Sequence, residues 1–488
     1  MAEPRQVEAA DADQPIVAPA LEDPVVLGVS ESIGGPLGRH AHGTRRWFTV
    51  AGILLLLTSL TFAVGMTSKK ACYDVTWSDG TTQYSYLCYS DLPFLYTARG
   101  FSELKWPYSD NAEVRARYTQ VMEYPVGISY YAWTAAQVTH VLAGSPDLAE
   151  RAAVSVDDLW NVHGMKHEIR LFVVVNVIGF AIAALLATWM LAGTNRRRPW
   201  DAAAFALSPM LAVTGMINWD LLAVVFVAGA MWSWARGRPL LTGVFVGLGT
   251  ATKLYPLFLL GGLLVICWRE RRWRDFVGSG LAAALAWVLV NLPAYATGAA
   301  EWKVFWTFNA ERGPDLGSLW LVVQQAADVS ISAHTVNIWS WLLFGAWCAG
   351  VLALGMRAPT TPQLAQLGFL IVAGFLIVNK VYSPQYVLWL LPLAVLARPR
   401  WRDQIVWQAG ELLYFCCVWW YLGGELTAGG GDDVPFYWFA VVLRVAAELY
   451  LVGLVVRDVL QPGQFHRFTG ETGTSCAMQP SRSGRTTG

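Results

Sequence analysis

The chain has 488 residues, of which 55% are hydrophobic, 14% are charged and 13% are aromatic, and its 35 basic side chains balance 35 acidic ones. A soluble protein carries charge on about a quarter of its residues, so this composition excludes an ordinary aqueous surface. The balanced charge argues against a nucleic-acid-binding protein, and the hydrophobic content excludes a wholly disordered, collagen-like or small disulfide-rich chain. We therefore expect an integral membrane protein.

Apolar stretches that approach the length of a membrane-spanning helix recur from residue 47 to residue 457. A span needs about 20 apolar residues, and twelve stretches reach or nearly reach that length. The sequence thus predicts an all-α bundle of about twelve transmembrane helices, several of them short and tightly paired beneath a cavity. The predicted spans are Trp47–Met66, Leu171–Ala192, Ala202–Ile217, Trp219–Trp234, Pro239–Thr252, Leu254–Trp268, Phe276–Ala296, Ile338–Met356, Leu367–Val378, Ser383–Ala397, Ile405–Leu422 and Phe436–Val456.

The two ends of the chain differ from this central part in composition. The first 40 residues are rich in Ala, Pro, Asp and Glu, and residues 462–488 are rich in Gly, Ser and Thr. We expect disordered tails over residues 1–46 and 458–488, on either side of a transmembrane domain over residues 47–457. The N-terminal stretch is too long and acidic for a signal peptide, so the first span is expected to be an uncleaved anchor.

The basic residues between spans orient the predicted bundle, because cytoplasmic loops carry an excess of Lys and Arg. With twelve spans, every basic cluster falls on the side of the two termini, which are therefore expected to be cytoplasmic. The clusters are Arg196-Arg197-Arg198, Arg236 with Arg238, Arg269 to Arg274, Arg357, Arg398 with Arg400 and Arg402, and Arg457.

The first predicted outer loop runs over residues 67–170. Counting its apolar stretch Pro125–Ala143 as a span would place the triple arginine outside, so we expect a juxtamembrane helix there. The loop also holds Cys72 and Cys88, which in an oxidising compartment can form a disulfide that closes a loop of about 15 residues. The other five cysteines lie in predicted spans or in a tail, where we interpret them as apolar filler, and no spacing resembles a zinc site.

Polar residues cluster at the predicted outer ends of the spans, where an ionisable group is a functional hypothesis by default. Each also has a structural interpretation. Asp91 precedes a short helical stretch and is suited to an N-cap, Glu123 precedes a proline that can start a helix, and Asn218 with Asp220 fits a capping turn.

Two lysines at outer turns run against the positive-inside trend. Lys253 and Lys380 each lie between two apolar stretches, with Tyr and Pro beside them. Lysines at span ends often only extend their side chains to the interface, but two of them on the outer face favour an anionic partner such as a lipid phosphate. In the last predicted span, Arg444 and Glu448 are one helical turn apart, and we interpret them as a structural pair with each other or with Glu411.

Together these residues resemble glycosyltransferase family 87, which includes polyprenol-phosphate-mannose-dependent mannosyltransferases and many actinobacterial proteins, and which belongs to the GT-C superfamily. The resemblance covers roughly residues 47–457 and depends on the order of short motifs rather than on any one of them. The motifs are Tyr89-Ser-Asp-x-Pro-x-x-Tyr-x-x-Arg-Gly, Trp106-Pro-Tyr, Glu123-Tyr-Pro, Asn218-Trp-Asp-Leu-Leu-Ala, Ala251-Thr-Lys-Leu-Tyr-Pro and Ser383-Pro-Gln-Tyr-x-Leu-Trp-Leu-Leu-Pro. The polar stretch Ser145–His167 matches none of them, and acceptor recognition is one interpretation of it.

The resemblance implies a GT-C fold with its active site between the first outer loop and the membrane. It also implies that Asp91 is the catalytic base of an inverting transfer from a polyprenyl-phosphate sugar to a cell-envelope glycolipid or glycan, with no cofactor and no metal. The chemistry agrees, because one carboxylate can take the acceptor proton and a cation stabilises the phosphate that leaves. The candidate donor-phosphate or substrate-binding residues are Lys253, Lys380, Arg99, Tyr255, Tyr382, Gln385, Glu123, Asn218 and Asp220.

Two alternatives stay open. A secondary transporter predicts charges at mid-bilayer and symmetry between two halves, whereas here the unusual polar residues cluster at outer ends and no such symmetry is visible. A flippase for a lipid carrier, or a catalytically inactive assembly partner in envelope synthesis, would keep the lysines as a phosphate site but would not need Asp91. Mannose is the sugar that the family favours, and glucose or arabinofuranose carriers remain possible donors.

Overall fold

The computed structural model describes residues 49–73, 81–118, 122–426 and 434–462, and the regular secondary structure of these residues is helical, without strands. Five helices are long and apolar enough to cross a membrane, and five shorter apolar helices of 10–17 residues accompany them. The structure therefore confirms an all-α membrane fold, while the number of twelve spans stays a prediction. The principal helices are Val50–Lys69, Met165–Thr194, Leu221–Trp234, Pro239–Thr252, Leu259–Arg269, Trp273–Thr297, Ala333–Arg357, Leu364–Val378, Val387–Ala397, Trp401–Leu422 and Pro435–Leu460.

The third predicted span is not one helix. Where the sequence predicts a span over Ala202–Ile217, the structure has two short helices, Ala203–Ala206 and Pro209–Thr214. Pro209 lacks a backbone N–H and disfavours helical geometry in the residue before it, so the first helix ends ahead of Ser208. The side chain of Ser208 then caps the second helix by accepting a hydrogen bond from the backbone N–H of Leu211, at 3.4 Å.

Two helices that are apolar on all sides lie at the centre of the bundle. Nearly every side chain of Leu364–Val378 is buried, and so is every side chain of Val387–Ala397. A helix that is hydrophobic all round requires such an environment. The turn that joins this pair, residues 379–386, is thereby held in the interior, and it carries Lys380 and Gln385.

Close helix packing in the bundle depends on small residues. Gly243 and Gly247 lie one helical turn apart on Pro239–Thr252 and contact the backbone of Trp273–Thr297. A Cβ atom added to Gly243 would lie 2.1 Å from the carbonyl oxygen of Ser279, and one added to Gly247 would lie 2.2 Å from that of Ala283. This small-xxx-small pattern is typical of helices that associate within membranes.

The first loop folds into short helices over one end of the bundle. They are Thr82–Ser85, Leu92–Ala98, Ala112–Arg117, Val126–Leu142 and Leu148–Ala152. The structure joins Cys72 to Cys88 in a disulfide, with Cα atoms 5.6 Å apart. Within the polar stretch 145–167, Arg151 is buried against Glu168 at 2.5 Å and donates to the carbonyl oxygen of Ser102, so this stretch fastens the loop.

The chain ends are only partly described. The predicted tail over residues 1–46 lies outside the described residues, as does the second predicted tail beyond residue 462. The helix Pro435–Leu460 runs past the predicted boundary at residue 457. Its residue Asp458 is buried and accepts a hydrogen bond from Arg398 at 2.5 Å, which explains why the helix continues there.

Candidate active site

A cavity of about 700 Å³ lies where the first loop meets the helix ends. Its wall combines residues that are far apart in the sequence. From the predicted site residues it takes Asp91, Glu123, Asn218, Lys253, Lys380 and Gln385, and it adds Arg312, Asn309 and Asn337 together with many aromatic side chains. We refer to it below as the Asp91 cavity.

Asp91 is held in place by its backbone rather than by a cap interaction. Its N–H donates to the carbonyl oxygen of Ile217 at 2.8 Å, and the hydroxyl of Ser90 donates to that of Met216 at 2.8 Å. Asp91 has the N-cap position of the helix Leu92–Ala98, but its side chain makes no capping hydrogen bond. The carboxylate therefore does not act as the helix cap that its position in the sequence would allow.

The surroundings of the Asp91 carboxylate favour its protonated form. Burial raises its pKa above the ordinary aspartate value, and the negative charge of Glu123 adds to this. Hydrogen bonds from Tyr124, at 2.7 Å, and from Tyr89 oppose the shift, as does the charge of Lys253. A carboxylate whose pKa is raised toward neutrality is a better proton acceptor than an ordinary aspartate.

Lys253 and Asp220 form an ion pair between two helix ends. Lys253 follows Pro239–Thr252, Asp220 precedes Leu221–Trp234, and the lysine Nζ lies 2.8 Å from Oδ1 of the aspartate. Burial lowers the pKa of Lys253, but Asp220, Tyr386 and Asp91 together raise it more, so the lysine stays charged. The other oxygen, Oδ2, accepts a hydrogen bond from Nε1 of Trp389 at 3.0 Å. The charge of Lys253 is thus balanced within the protein.

Aromatic rings enclose this ion pair. The Nζ of Lys253 lies 4.9 Å from the ring centre of Tyr124, 5.9 Å from that of Tyr386 and 5.7 Å from that of Trp389. Tyr255 stacks on Trp389 with ring centres 4.6 Å apart and is fully buried. Tyr255 therefore supports the wall from behind and is not among the residues that line the cavity.

Lys380 differs from Lys253 because it has only neutral partners. Its Nζ donates to the carbonyl oxygen of Asn309 at 2.6 Å and to the side-chain oxygen of Asn337 at 2.5 Å. No carboxylate lies within ion-pair distance of it among the described residues. Burial and the nearby positive charge of Arg312 lower its pKa to about 8. Such a cation is suited to an anionic ligand.

The remaining predicted residues occupy supporting positions. Arg99 and Glu123 form an ion pair at 3.2 Å, in which Glu123 reaches the cavity and Arg99 does not. The side chain of Asn218 accepts a hydrogen bond from the backbone N–H of Asp220 at 3.1 Å. Tyr382 lies below the wall and donates to Glu411 at 2.8 Å.

A buried arginine orders the segment that carries Lys380. The guanidinium carbon of Arg444 lies 3.5 Å from the ring centre of Tyr382, and Arg444 pairs with Glu448 at 3.0 Å. The backbone of Tyr382 donates to the carbonyl oxygen of Leu316 at 2.8 Å. Glu411 accepts hydrogen bonds from Tyr382 and from Trp407. Of the three charged residues that were expected to form a structural group, Arg444 and Glu448 therefore pair with each other, and Glu411 has other hydrogen-bond partners.

One lobe of the Asp91 cavity is apolar. Its lining includes Phe344, Phe375, Trp341 and Val378, on the helices Ala333–Arg357 and Leu364–Val378. The rings of Phe344 and Phe375 meet at 5.4 Å. The cavity therefore joins a polar end, with charged and amide groups, to a wall suited to a hydrocarbon chain.

Sequence reasoning missed the contribution of residues 298–337. The helix Ala299–Glu311 and the turn after it supply Asn309 and Arg312, and the helix Ala333–Arg357 supplies Asn337. The sequence feature that could have identified these residues is a second polar connection between predicted spans, on the same side of the bundle as the first loop. Lys69 was also missed: it is buried at the end of its helix and donates to the carbonyl oxygen of Tyr89 at 3.0 Å, next to Asp91.

Two further observations concern ligands and relatives. Within the described ranges, no three His, Cys, Asp or Glu side chains come together as a potential metal site. Residues 164–378 match the model of Glycosyltransferase family 87. This region contains Asn218, Asp220 and Lys253 and ends two residues before Lys380. Comparison with curated proteins gives no match.

Proposed function

Since residues 164–378 match the model of glycosyltransferase family 87, we propose that this protein is a membrane glycosyltransferase that transfers a hexose from a polyprenyl-phosphate donor to a glycolipid or glycan acceptor of the cell envelope, with Asp91 as the base. Mannose is the first sugar to test, and the extracytoplasmic face is the expected place of reaction. The observation that carries the proposal is the composition of the Asp91 cavity: a carboxylate, a cation without an acidic partner and an apolar lobe share one space.

The proposed reaction is a single displacement at the anomeric carbon. The acceptor hydroxyl gives its proton to Asp91 while its oxygen bonds to the anomeric carbon. The bond from that carbon to the phosphate oxygen breaks, and the polyprenyl phosphate leaves with the electron pair. One carboxylate is sufficient, because the leaving group needs charge stabilisation rather than a proton.

The leaving phosphate gains negative charge during the displacement. Preorganised cations at the place where charge develops stabilise the transition state more than the ground state. Lys380 is suited to this role, because it contacts only neutral oxygens. Arg312 pairs with Asp315 at 2.7 Å and supports Lys380 only through its nearby positive charge. We assign Lys253 a different role, since Asp220 already balances its charge.

The donor's lipid also needs a binding surface. The apolar lobe formed by Phe344, Phe375 and Trp341 is suited to the first isoprene units of a polyprenyl chain. Burial of a methylene group contributes about 0.8 kcal/mol, so a short part of the chain is enough to favour lipid-linked over free sugar phosphates. We therefore propose that the polar end of the cavity binds sugar and phosphate and that the lobe binds the lipid.

The test compares Asp91→Asn with a matched control, Asp110→Asn, which changes an exposed aspartate of the same loop. Purified proteins would receive radiolabelled polyprenyl-phosphate mannose and a lipid extract as acceptor. We expect Asp91→Asn to lose transfer by about 10²- to 10⁴-fold, as is typical for removal of a general base, while the donor still binds and Asp110→Asn keeps full activity.

Other outcomes separate the alternatives. Equal transfer by wild type and Asp91→Asn would refute the role of Asp91 and make Glu123 the next residue to test. Movement of the donor across vesicles without any transfer would favour the flippase alternative. Transfer from a glucose- or arabinofuranose-linked donor in place of mannose would keep the mechanism and change the sugar.

A further inference from the structure

A second large cavity lies at the opposite ends of the helices that border the Asp91 cavity. It has a volume of about 1000 Å³. The helix Leu221–Trp234 begins next to Asp220 and ends at Trp234, which lines this second cavity. Fourteen residues at 1.5 Å each place the two cavities roughly 20 Å apart. We call the second one the arginine cavity.

Positive charge dominates the wall of the arginine cavity. Six arginines and only two carboxylates, Asp201 and Glu270, line it, which leaves a formal excess of four positive charges. The arginines are Arg196, Arg197, Arg198, Arg236, Arg238 and Arg272.

Most of this charge has no counter-charge among the described residues. Arg272 pairs with Glu270 at 3.2 Å and with Asp275 at 2.8 Å. In contrast, Arg196, Arg197, Arg236 and Arg238 have no carboxylate within ion-pair distance among the residues that the structure describes. Arg236 rests on Trp232, 4.1 Å from its ring centre, and its pKa is lowered by burial and by the charges of Arg196 and Arg238. Such repulsion is relieved when an anion binds.

One arginine of the group is buried and only partly satisfied. The side chain of Arg198 is 4% exposed and pairs with Asp201 at 3.1 Å through one terminal nitrogen. Its Nε is buried and has no hydrogen-bond partner in the described part of the chain. A buried donor without a partner is destabilising, and Arg198 therefore keeps an unused donor that can bind a ligand.

Two general tendencies account for part of this arrangement. Arginines are favoured near helix C-termini and at the cytoplasmic ends of membrane helices. Both tendencies scatter arginines over a face, and neither requires that they surround one cavity. The cavity also has apolar walls, from Met231, Trp234, Ile266 and Leu364. A concave site with several guanidinium groups and an apolar side matches a phosphate group on a hydrophobic carrier.

We propose that the arginine cavity is a second binding site, separate from the proposed active site, for a phosphate group carried by an anionic membrane lipid or by a free phosphate compound. Arg236 and Arg238 contact the phosphate from the turn between two helices, and Arg198 contacts it from the cavity wall. The apolar residues receive the carrier when the phosphate belongs to a lipid. The site does not depend on the proposed function, since it shares no residue with the Asp91 cavity.

The test is calorimetric titration of the full-length protein in a neutral detergent. Lys380→Gln with Arg312→Gln serves as the background, so that phosphate binding in the Asp91 cavity does not contribute. The probes are dihexanoyl phosphatidylglycerol below its micellar concentration, dihexanoyl phosphatidylcholine, and inorganic phosphate. Within this background, Arg236→Gln with Arg238→Gln is compared with Arg274→Gln and Arg357→Gln, which remove two exposed arginines outside the cavity.

We expect the phosphatidylglycerol or phosphate Kd to rise about tenfold or more in the Arg236 and Arg238 variant, with a change below about twofold in the control. Binding of phosphatidylglycerol alone identifies a lipid site, and competition by inorganic phosphate identifies a site for free phosphate. Equal binding of phosphatidylcholine, equal loss in both variants, or no binding of any probe would overturn the proposal. If the glutamine variant does not fold, Arg196→Gln with Arg197→Gln replaces it, because both side chains are exposed.

Discussion

The lowered pKa of Lys380 leads to a prediction about the pH dependence of transfer. In the proposed mechanism Lys380 must be protonated to attract the donor phosphate, and its pKa in the free protein is about 8. Since kcat/KM reports the ionisations of the free enzyme, it should fall as pH rises through about 8. At pH 9 about a tenth of the molecules would keep this charge, which corresponds to about a tenfold loss.

Substitutions at Lys380 separate this cause from others. Lys380→Arg keeps the positive charge at every accessible pH, so the alkaline fall of kcat/KM should move above pH 10. Lys380→Gln removes a charge-assisted contact worth about 1.5–3 kcal/mol and should lower kcat/KM about 10- to 150-fold at pH 7. The matched control is Lys303→Gln, which changes an exposed lysine on Ala299–Glu311 outside the cavity.

The assay is transfer of radiolabelled sugar at subsaturating donor between pH 6 and 10. An alkaline fall near pH 8 that persists in Lys380→Arg would refute the assignment. Lys253 would not be its source, because Asp220, Tyr386 and Asp91 together raise the pKa of that lysine above the ordinary value despite burial. A loss in Lys303→Gln as large as that in Lys380→Gln would show that only the overall charge of this face matters.

Three further predictions follow from particular contacts. Asp220→Asn removes the counter-charge of buried Lys253 and should cost about 3–5 kcal/mol of stability, most of which the double variant with Lys253→Met should restore in thermal unfolding; no recovery would contradict a direct pair. Gly247→Ala places a Cβ 2.2 Å from a carbonyl oxygen and should destabilise by about 1–3 kcal/mol. Gly280→Ala in the same packed helix pair meets no atom within 4 Å, so its unfolding temperature should stay the same or rise, and equal losses in both would refute the packing argument. Reduction of the disulfide between Cys72 and Cys88 should lower the free energy of unfolding by about 3 kcal/mol, whereas the Cys72→Ser Cys88→Ser variant should show no effect of reductant.

The sequence was sufficient to predict that Asp91, Lys253 and Lys380 lie on the same face of the bundle, and the reason is a simple physical one. Apolar spans alternate in direction, so every second connection lies on the same face of the bundle. Residues in those connections can meet although nearly 290 positions separate Asp91 from Lys380. The same logic applies to residues 298–337, but no motif there drew attention to Arg312.

The sequence could not show which residues on this face of the bundle form pairs, because hydropathy does not specify which helix lies beside which. The pairing of Lys253 with Asp220 requires that Pro239–Thr252 ends where Leu221–Trp234 begins. The break at Pro209 was visible as a proline, yet the continuous apolar run around it favoured one span. The N-cap position of Asp91 was likewise visible in the sequence, but the sequence could not show that the Asp91 side chain makes no capping hydrogen bond.

The partition of charge in the Asp91 cavity explains why the proposed mechanism gives different roles to two lysines in similar sequence contexts. A cation that paired directly with the Asp91 carboxylate would lower its pKa and weaken it as a base. Asp220 prevents this by pairing with Lys253 at 2.8 Å, so Lys253 influences Asp91 only from a distance. At the phosphate end no base needs protection, and the two asparagine oxygens hold Lys380 without neutralising it. One cavity can thus keep a carboxylate with a raised pKa and an available cation together, as the proposed displacement from a lipid phosphate requires.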